Sequence, residues 1–121
     1  MDVWEHFATY DRDLAEQSAV WDDALYPYSA EAHAHDQRGM VYGRVVLTDK
    51  AFVSVHEVVQ VDGSQASREK YGYFVMYDGE ELYSEQRDFT HTPSSDAIAL
   101  KDFLTKARDM VTSEDELRAD T

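Results

Sequence analysis

The segment Met40–Phe89, MVYGRVVLTDKAFVSVHEVVQVDGSQASREKYGYFVMYDGEELYSEQRDF, decides the fold. Its apolar residues recur with a period of two, the spacing of a strand with one face buried. Val41–Leu47 reads as a first strand and Thr48-Asp49-Lys50 as a turn. Phe52–Val61 reads as a second strand, with Val53, Val55, Val59 and Val61 on one face. Asp62–Glu69 is polar, opens with Asp-Gly and reads as a loop. Lys70–Tyr77 is a third strand, Asp78-Gly79 a strong two-residue hairpin signal, and Glu81–Phe89 a fourth strand. Hairpin connections make the expected sheet, over residues 40–90, an antiparallel meander.

Outward from that segment the period changes. Trp4, Phe7, Tyr10, Leu14, Trp21 and Leu25 recur at helical spacing, so the N-terminal segment 1–28 is expected to be helical. Pro27 ends it, because the residue before a proline avoids the helical region. Residues 29–39, beginning SAEAHAHDQ, read as a linker. After the sheet, Pro93-Ser94-Ser95 opens a helix over 94–112, with Ser95 as its N-cap and Leu100, Phe103, Leu104, Ala107 and Val111 on its buried stripe. Residues 113–121 read as a frayed acidic tail. The expectation is one α+β domain: an N-terminal helix, a four-stranded antiparallel meander and a C-terminal helix packed on the sheet.

Composition narrows the function classes. The 121 residues contain no cysteine, which excludes disulfide frameworks, thiolate zinc sites and cysteine nucleophiles. No run approaches the roughly 18 apolar residues of a membrane span, and the start lacks a basic-then-apolar signal, so a cytoplasmic protein with no membrane partner is expected. Eleven basic against 25 acidic residues leave a net charge of −14. Disorder does not account for this charge, because the acids are spread along a chain that is 43% hydrophobic and 12% aromatic. Adaptation to a salt-filled cell interior does, since repulsion is screened within about 3 Å at 1 M salt. Four lysines against seven arginines, and one isoleucine beside twelve valines, agree with a halophile. Net charge then carries no information about whether the partner is nucleic acid.

Three clusters could carry chemistry. Glu57 falls in register with Val53, Val55, Val59 and Val61, so its carboxylate shares their face. Buried there it needs a partner, for which Arg44 on the preceding strand is the candidate; the alternatives are a structural pair or a catalytic acid. Tyr71, Tyr73, Val75 and Tyr77 form a row that Tyr83 extends, suited either to cross-strand packing or to base stacking. His33 and His35, with Asp36 beside them, are weak metal-ligand candidates that His6, His56 or His91 would have to complete. No Gly-rich phosphate loop, nucleophile elbow or HExxH is present, and no cofactor is expected.

The stretch Arg38–Val111 resembles the TumE-family toxins of prokaryotic toxin–antitoxin modules. The resemblance rests on Gly43, Arg44, Asp49, Phe52, Glu57, Lys70, Tyr71, Tyr73, Asp78, Gly79, Leu82, His91 and Pro93, which fall in that order. It implies a toxin neutralised by an antitoxin protein encoded nearby and acting on RNA by metal-independent acid–base cleavage. In that scheme Glu57 and His91 exchange protons with the 2′-hydroxyl and the leaving oxygen, and Arg44 stabilises the phosphorane. Tyr71 and Tyr73 would orient a base, with Lys70 on the substrate. The chain departs from the family pattern at Glu85, Gln86, Arg87 and Asp88, and has Thr92 where a second histidine would stand. The downstream histidine-rich stretch is also missing, which implies a reduced or inactive member. The alternative is a non-catalytic module that uses the same sheet to hold a protein or a nucleic acid.

Overall fold

The computed structural model describes residues 3–21, 26–32, 36–62, 65–88 and 98–119. Helix α1 (Val3–Glu16) is followed by strands β1 (Val20–Trp21), β2 (Tyr26–Ala32), β3 (Asp36–Val46), β4 (Ala51–Asp62), β5 (Gln65–Tyr77) and β6 (Glu80–Asp88), then by helix α2 (Leu100–Ala119). Strands β3 to β6 form the expected antiparallel meander. Both β1 and β2 pair antiparallel with the free edge of β3, β1 opposite Val45 and Val46 and β2 opposite Gln37–Tyr42. The architecture is α+β, with both helices on one face of the sheet.

Alternation produces that face. Val41 and Val45 of β3, Val53, Val55 and Val59 of β4, and Tyr71, Tyr73, Val75 and Tyr77 of β5 are all buried. They pack against Tyr10 and Leu14 of α1 and against Leu100, Phe103, Leu104, Ala107 and Val111 of α2, the stripe read from the sequence. The two helices also touch each other: Gln17 Nε2 donates to Thr105 Oγ1 at 2.9 Å, and Lys101 Nζ lies 2.6 Å from a Glu16 carboxylate oxygen. The hairpin between β5 and β6 has the expected Asp-Gly turn, with Asp78 at φ 50° and Gly79 at φ 84°, the left-handed pair that matches strand twist.

Several boundaries differ from the sequence reading. The N-terminal helix stops at Glu16, well short of residue 28, because Ser18 takes a left-handed conformation (φ 54°). The Ser18 N–H then donates to Ala15 O at 3.2 Å and the Ala19 N–H to Leu14 O at 2.9 Å, which satisfies the last carbonyls in a Schellman arrangement. Leu14 and Ala19 are both buried, the apolar contact that accompanies this cap. Serine rather than glycine holds the cap, so the sequence carries no stop signal there. Ser18→Gly is expected to raise stability by about 0.5–1 kcal/mol, because glycine reaches positive φ without the Cβ penalty. A thermal melt in which this variant unfolds below the parent would contradict the cap.

Residues 26–32, assigned to the helical segment and the linker, form β2 instead. Pro27 sits comfortably there, because β2 pairs on one side only and needs no ladder N–H on the other. The expected loop over 62–69 is strand up to Asp62 and again from Gln65. Its alternation is broken by a bulge: Val58 pairs with Lys70 and Val59 with Arg68, which leaves Glu69 as the extra residue. Finally, α2 runs on to Ala119 where a frayed tail was expected. Three contacts hold its last turns: the Tyr77 hydroxyl donates to Asp115, Arg118 Nε lies 2.9 Å from Glu114, and Arg118 Nη1 lies 3.4 Å from Asp78. The expected helix opening at Pro93–Ser95 lies outside the described residues.

Candidate functional site

Glu57 is fully buried at 0% exposure, opposite Val41 on one side and Tyr71 on the other. Both of its carboxylate oxygens accept hydrogen bonds: Tyr10 OH of α1 donates to Oε1 at 2.5 Å, and Tyr73 OH donates to Oε2. Arg68 Nη1 donates to the Tyr73 hydroxyl at 2.8 Å, and its guanidinium lies 4.6 Å from the centroid of the Tyr71 ring. The result is a chain of donors, Arg68 to Tyr73 to Glu57, closed from the other side by Tyr10. The Tyr71 and Tyr73 rings are 4.8 Å apart, and Tyr73 packs on Phe103 at 5.1 Å.

The electrostatics follow from burial. Desolvation lifts the Glu57 carboxyl above its ordinary value, against the opposing hydrogen bonds of Tyr10 and Tyr73 and the charge of Arg68. Burial, and then the Glu57 charge, push the Tyr10 and Tyr73 phenols well up, so both remain donors. Burial alone would lower Arg68, but its hydrogen bond to the Tyr73 oxygen and the Glu57 carboxylate outweigh it and hold the guanidinium more firmly protonated.

This arrangement splits the residues singled out from the sequence. Glu57, Tyr71 and Tyr73 come together, but inside the core, where Tyr71 is 4% and Tyr73 0% exposed. A carboxylate in that position meets no 2′-hydroxyl, and those rings stack on no base. Arg44 is not the partner of Glu57. It sits opposite Ser54, on the other face of the sheet from Glu57, with its guanidinium 5.2 Å from the Phe52 ring centroid. The reason is parity: Val41 and Val45 point inward, so Arg44 points outward. Lys70 is likewise outward and exposed. His91, His33 and His35 lie outside the described residues; among those described, no cluster of three or more His, Asp or Glu side chains could hold a metal ion.

The partners that the sequence reading missed are Tyr10 and Arg68. Tyr10 was visible as a stripe residue of α1, but a tyrosine on such a stripe does not announce its hydrogen-bond partner. Arg68 was hidden by the bulge, which shifts it by one position onto the inner face.

The outer face of the sheet carries a second set of side chains in three registered rows. Tyr42, His56, Gly72 and Gln86 form the middle row across β3 to β6. Arg44, Ser54, Phe74 and Ser84 form the row on one side, and Met40, Val58, Lys70 and Asp88 the row on the other. Tyr42 is 46% exposed, Arg44, His56, Lys70, Gln86 and Asp88 are exposed, and Phe74 is half-buried. Among these twelve positions only Asp88 is acidic, in a chain with 25 acids among 121 residues. A shallow depression of about 500 Å³ opens on this face, lined by His56, Lys70, Gly72, Phe74, Gln86, Arg87 and Asp88 among others. Among the described residues, both helices pack on the opposite face, and no helix is long and apolar enough to cross a membrane.

No family model, curated protein or solved structure matches this chain.

Proposed function

We propose that this chain is a non-catalytic binding module that holds a single-stranded nucleic acid, RNA in the first place, on the outer face of its sheet. The carrying observation is the centre of the outer face: an aromatic and cationic patch whose twelve registered positions hold Asp88 as their one acid, on a protein of net charge −14. Acidic residues cover the rest of such a surface because they hold water. Thinning them out at the centre of one face favours contact with an anion or an apolar ring. Aromatic side chains on a sheet stack bases without regard to sequence, at about 1–3 kcal/mol per base. This mode suits concentrated salt, where phosphate contacts weaken as counterions are already abundant while stacking persists.

The resemblance to TumE-family toxins supports RNA as the nucleic acid and a nearby antitoxin as a second, protein partner. It supports no chemistry through Glu57, whose carboxylate is committed to two phenols inside the core.

Fluorescence anisotropy with short single-stranded oligonucleotides in about 1 M KCl, where charge is screened to about 3 Å, tests the reading. The parent is expected to bind, and Tyr42→Ala combined with Arg44→Ala to weaken binding tenfold or more, corresponding to at least one lost stack. Binding that is indifferent to these two substitutions, or found only for the protein encoded beside this chain, would overturn the nucleic-acid reading.

A further inference from the structure

We infer that the depression over Gly72 is the seat of a single nucleotide, with its base against the Phe74 ring and its phosphate held by Lys70; this rests on the outer face being the binding face. The argument starts from the missing side chain. Gly72 stands in the centre of the middle row, between His56 and Gln86, and is the one position of the row that raises nothing above the sheet. Phe74 uses that space. A Cβ on Gly72 would lie 3.0 Å from Cε2 of the Phe74 ring and 3.6 Å from Cγ of Gln86. The ring therefore leans over the glycine, while the half-buried residue keeps part of its surface in solvent. A ring laid low on a sheet, between a histidine and a glutamine that rise on either side, makes a platform with two polar walls. The open volume of about 500 Å³ above it accommodates one base and its sugar.

The charges fix which end of the nucleotide goes where. Lys70 stands at the depression with Asp88 opposite it, while Arg87, opposite the inward Tyr71, belongs to the helix face. A phosphate is drawn to the Lys70 ammonium, and the uncharged base is left for the ring. Gln86 offers both a donor and an acceptor to the base edge, and His56 offers a ring nitrogen of either kind. The same chemistry would accept a free nucleotide or one unit of a longer strand.

Three variants separate these cases, each checked for an unchanged melting temperature. Phe74→Leu removes the platform but keeps an apolar strand residue. Gly72→Ala adds the Cβ that displaces the ring. Lys70→Gln, at an exposed position, removes one cation without touching the core. Oligonucleotide binding is expected to fall about tenfold in Phe74→Leu and to weaken in Gly72→Ala. In Lys70→Gln the slope of log affinity against log salt is expected to drop by about one. Adenosine monophosphate serves as the second probe. If it binds with the same Phe74 dependence and no oligonucleotide binds more tightly, the seat takes a free nucleotide and the strand reading fails. If the oligonucleotide binds, responds to Tyr42→Ala and ignores all three seat variants, the seat is wrong and the binding face stands. If neither probe binds the parent, both are wrong.

Discussion

Raising KCl from about 0.1 M to about 3 M is expected to lift the melting temperature by roughly 10 °C or more, as the screening length falls from about 10 Å to below 3 Å. The net charge of −14 is too large for local pairing to neutralise, since eleven cations face 25 acids. Exposed carboxylates crowd the helices, with Glu5, Asp11 and Glu16 on α1 and Asp102, Asp109, Asp115 and Glu116 on α2. Folding gathers these charges onto one compact surface, and at low salt their repulsion sums to several kcal/mol. One effect opposes the trend. The exposed pairs Lys101–Glu16, Arg118–Glu114 and Arg118–Asp78 weaken as salt rises, but pairs of this kind contribute at most about 1 kcal/mol each. Repulsion wins. The control is the same pair of melts near the sequence pI of about 4.5, where net charge vanishes and most of the gain should disappear. Equal melting temperatures at the two salt concentrations at neutral pH would remove the halophile reading. The scarcity of acids at the centre of the outer face would then lose its contrast.

The legible part of the fold was the part with unbroken alternation. Between Met40 and Tyr77, Val41, Val45, Val53, Val55, Val59, Tyr71, Tyr73, Val75 and Tyr77 fall on one face, and the Asp78-Gly79 turn announces its own geometry. What escaped the sequence reading was each place where one residue departs from its local rule. Ser18 takes the left-handed cap that glycine would have advertised, and Glu69 bulges out so that Arg68 changes face. Pro27, a helix breaker, reads as the end of a helix that in fact stops at Glu16, and it concealed an edge strand. The site followed the same logic. Alternation placed Glu57 on the core face, yet it was also sufficient to place Arg44 on the opposite face, because Val41 and Val45 flank it at the inward positions. The partner could not be read along the strand at all: Tyr10 reaches Glu57 across 47 residues of chain.

Glu57→Ala is expected to cost about 3–5 kcal/mol, a large part of the roughly 5–15 kcal/mol that holds a domain of this size. It leaves a cavity, and two buried phenols lose their acceptor. Glu57→Gln should cost much less, about 1–2 kcal/mol, for a reason visible in the direction of the hydrogen bonds. Arg68 donates to the Tyr73 oxygen, so the Tyr73 proton must point at residue 57 and requires an acceptor there. The glutamine oxygen supplies it, and the amide nitrogen faces Tyr10, whose hydroxyl rotates to accept. Tyr73→Phe breaks the chain in its middle and should fall between the two. The pH dependence carries its own sign. Burial raises the Glu57 carboxyl in the native state, so the folded protein holds this proton where the unfolded chain has released it. Its contribution is therefore complete below the ordinary carboxylate value of 4.5 and is lost as pH rises through the native value. The advantage of the parent over Glu57→Gln should be widest in acid and narrow toward neutrality, as measured by urea melts of both proteins across that range. A gap that widens with pH would mean that the phenols and Arg68 outweigh desolvation, so that the native site favours the charged carboxylate. The same variant separates core from catalyst. If Glu57→Gln folds, keeps oligonucleotide binding on the outer face and changes only this pH profile, Glu57 works by holding α1 to the sheet. Loss of an RNA-cleaving activity in a Glu57→Gln protein of unchanged melting temperature would return Glu57 to the chemistry and overturn the binding-module reading.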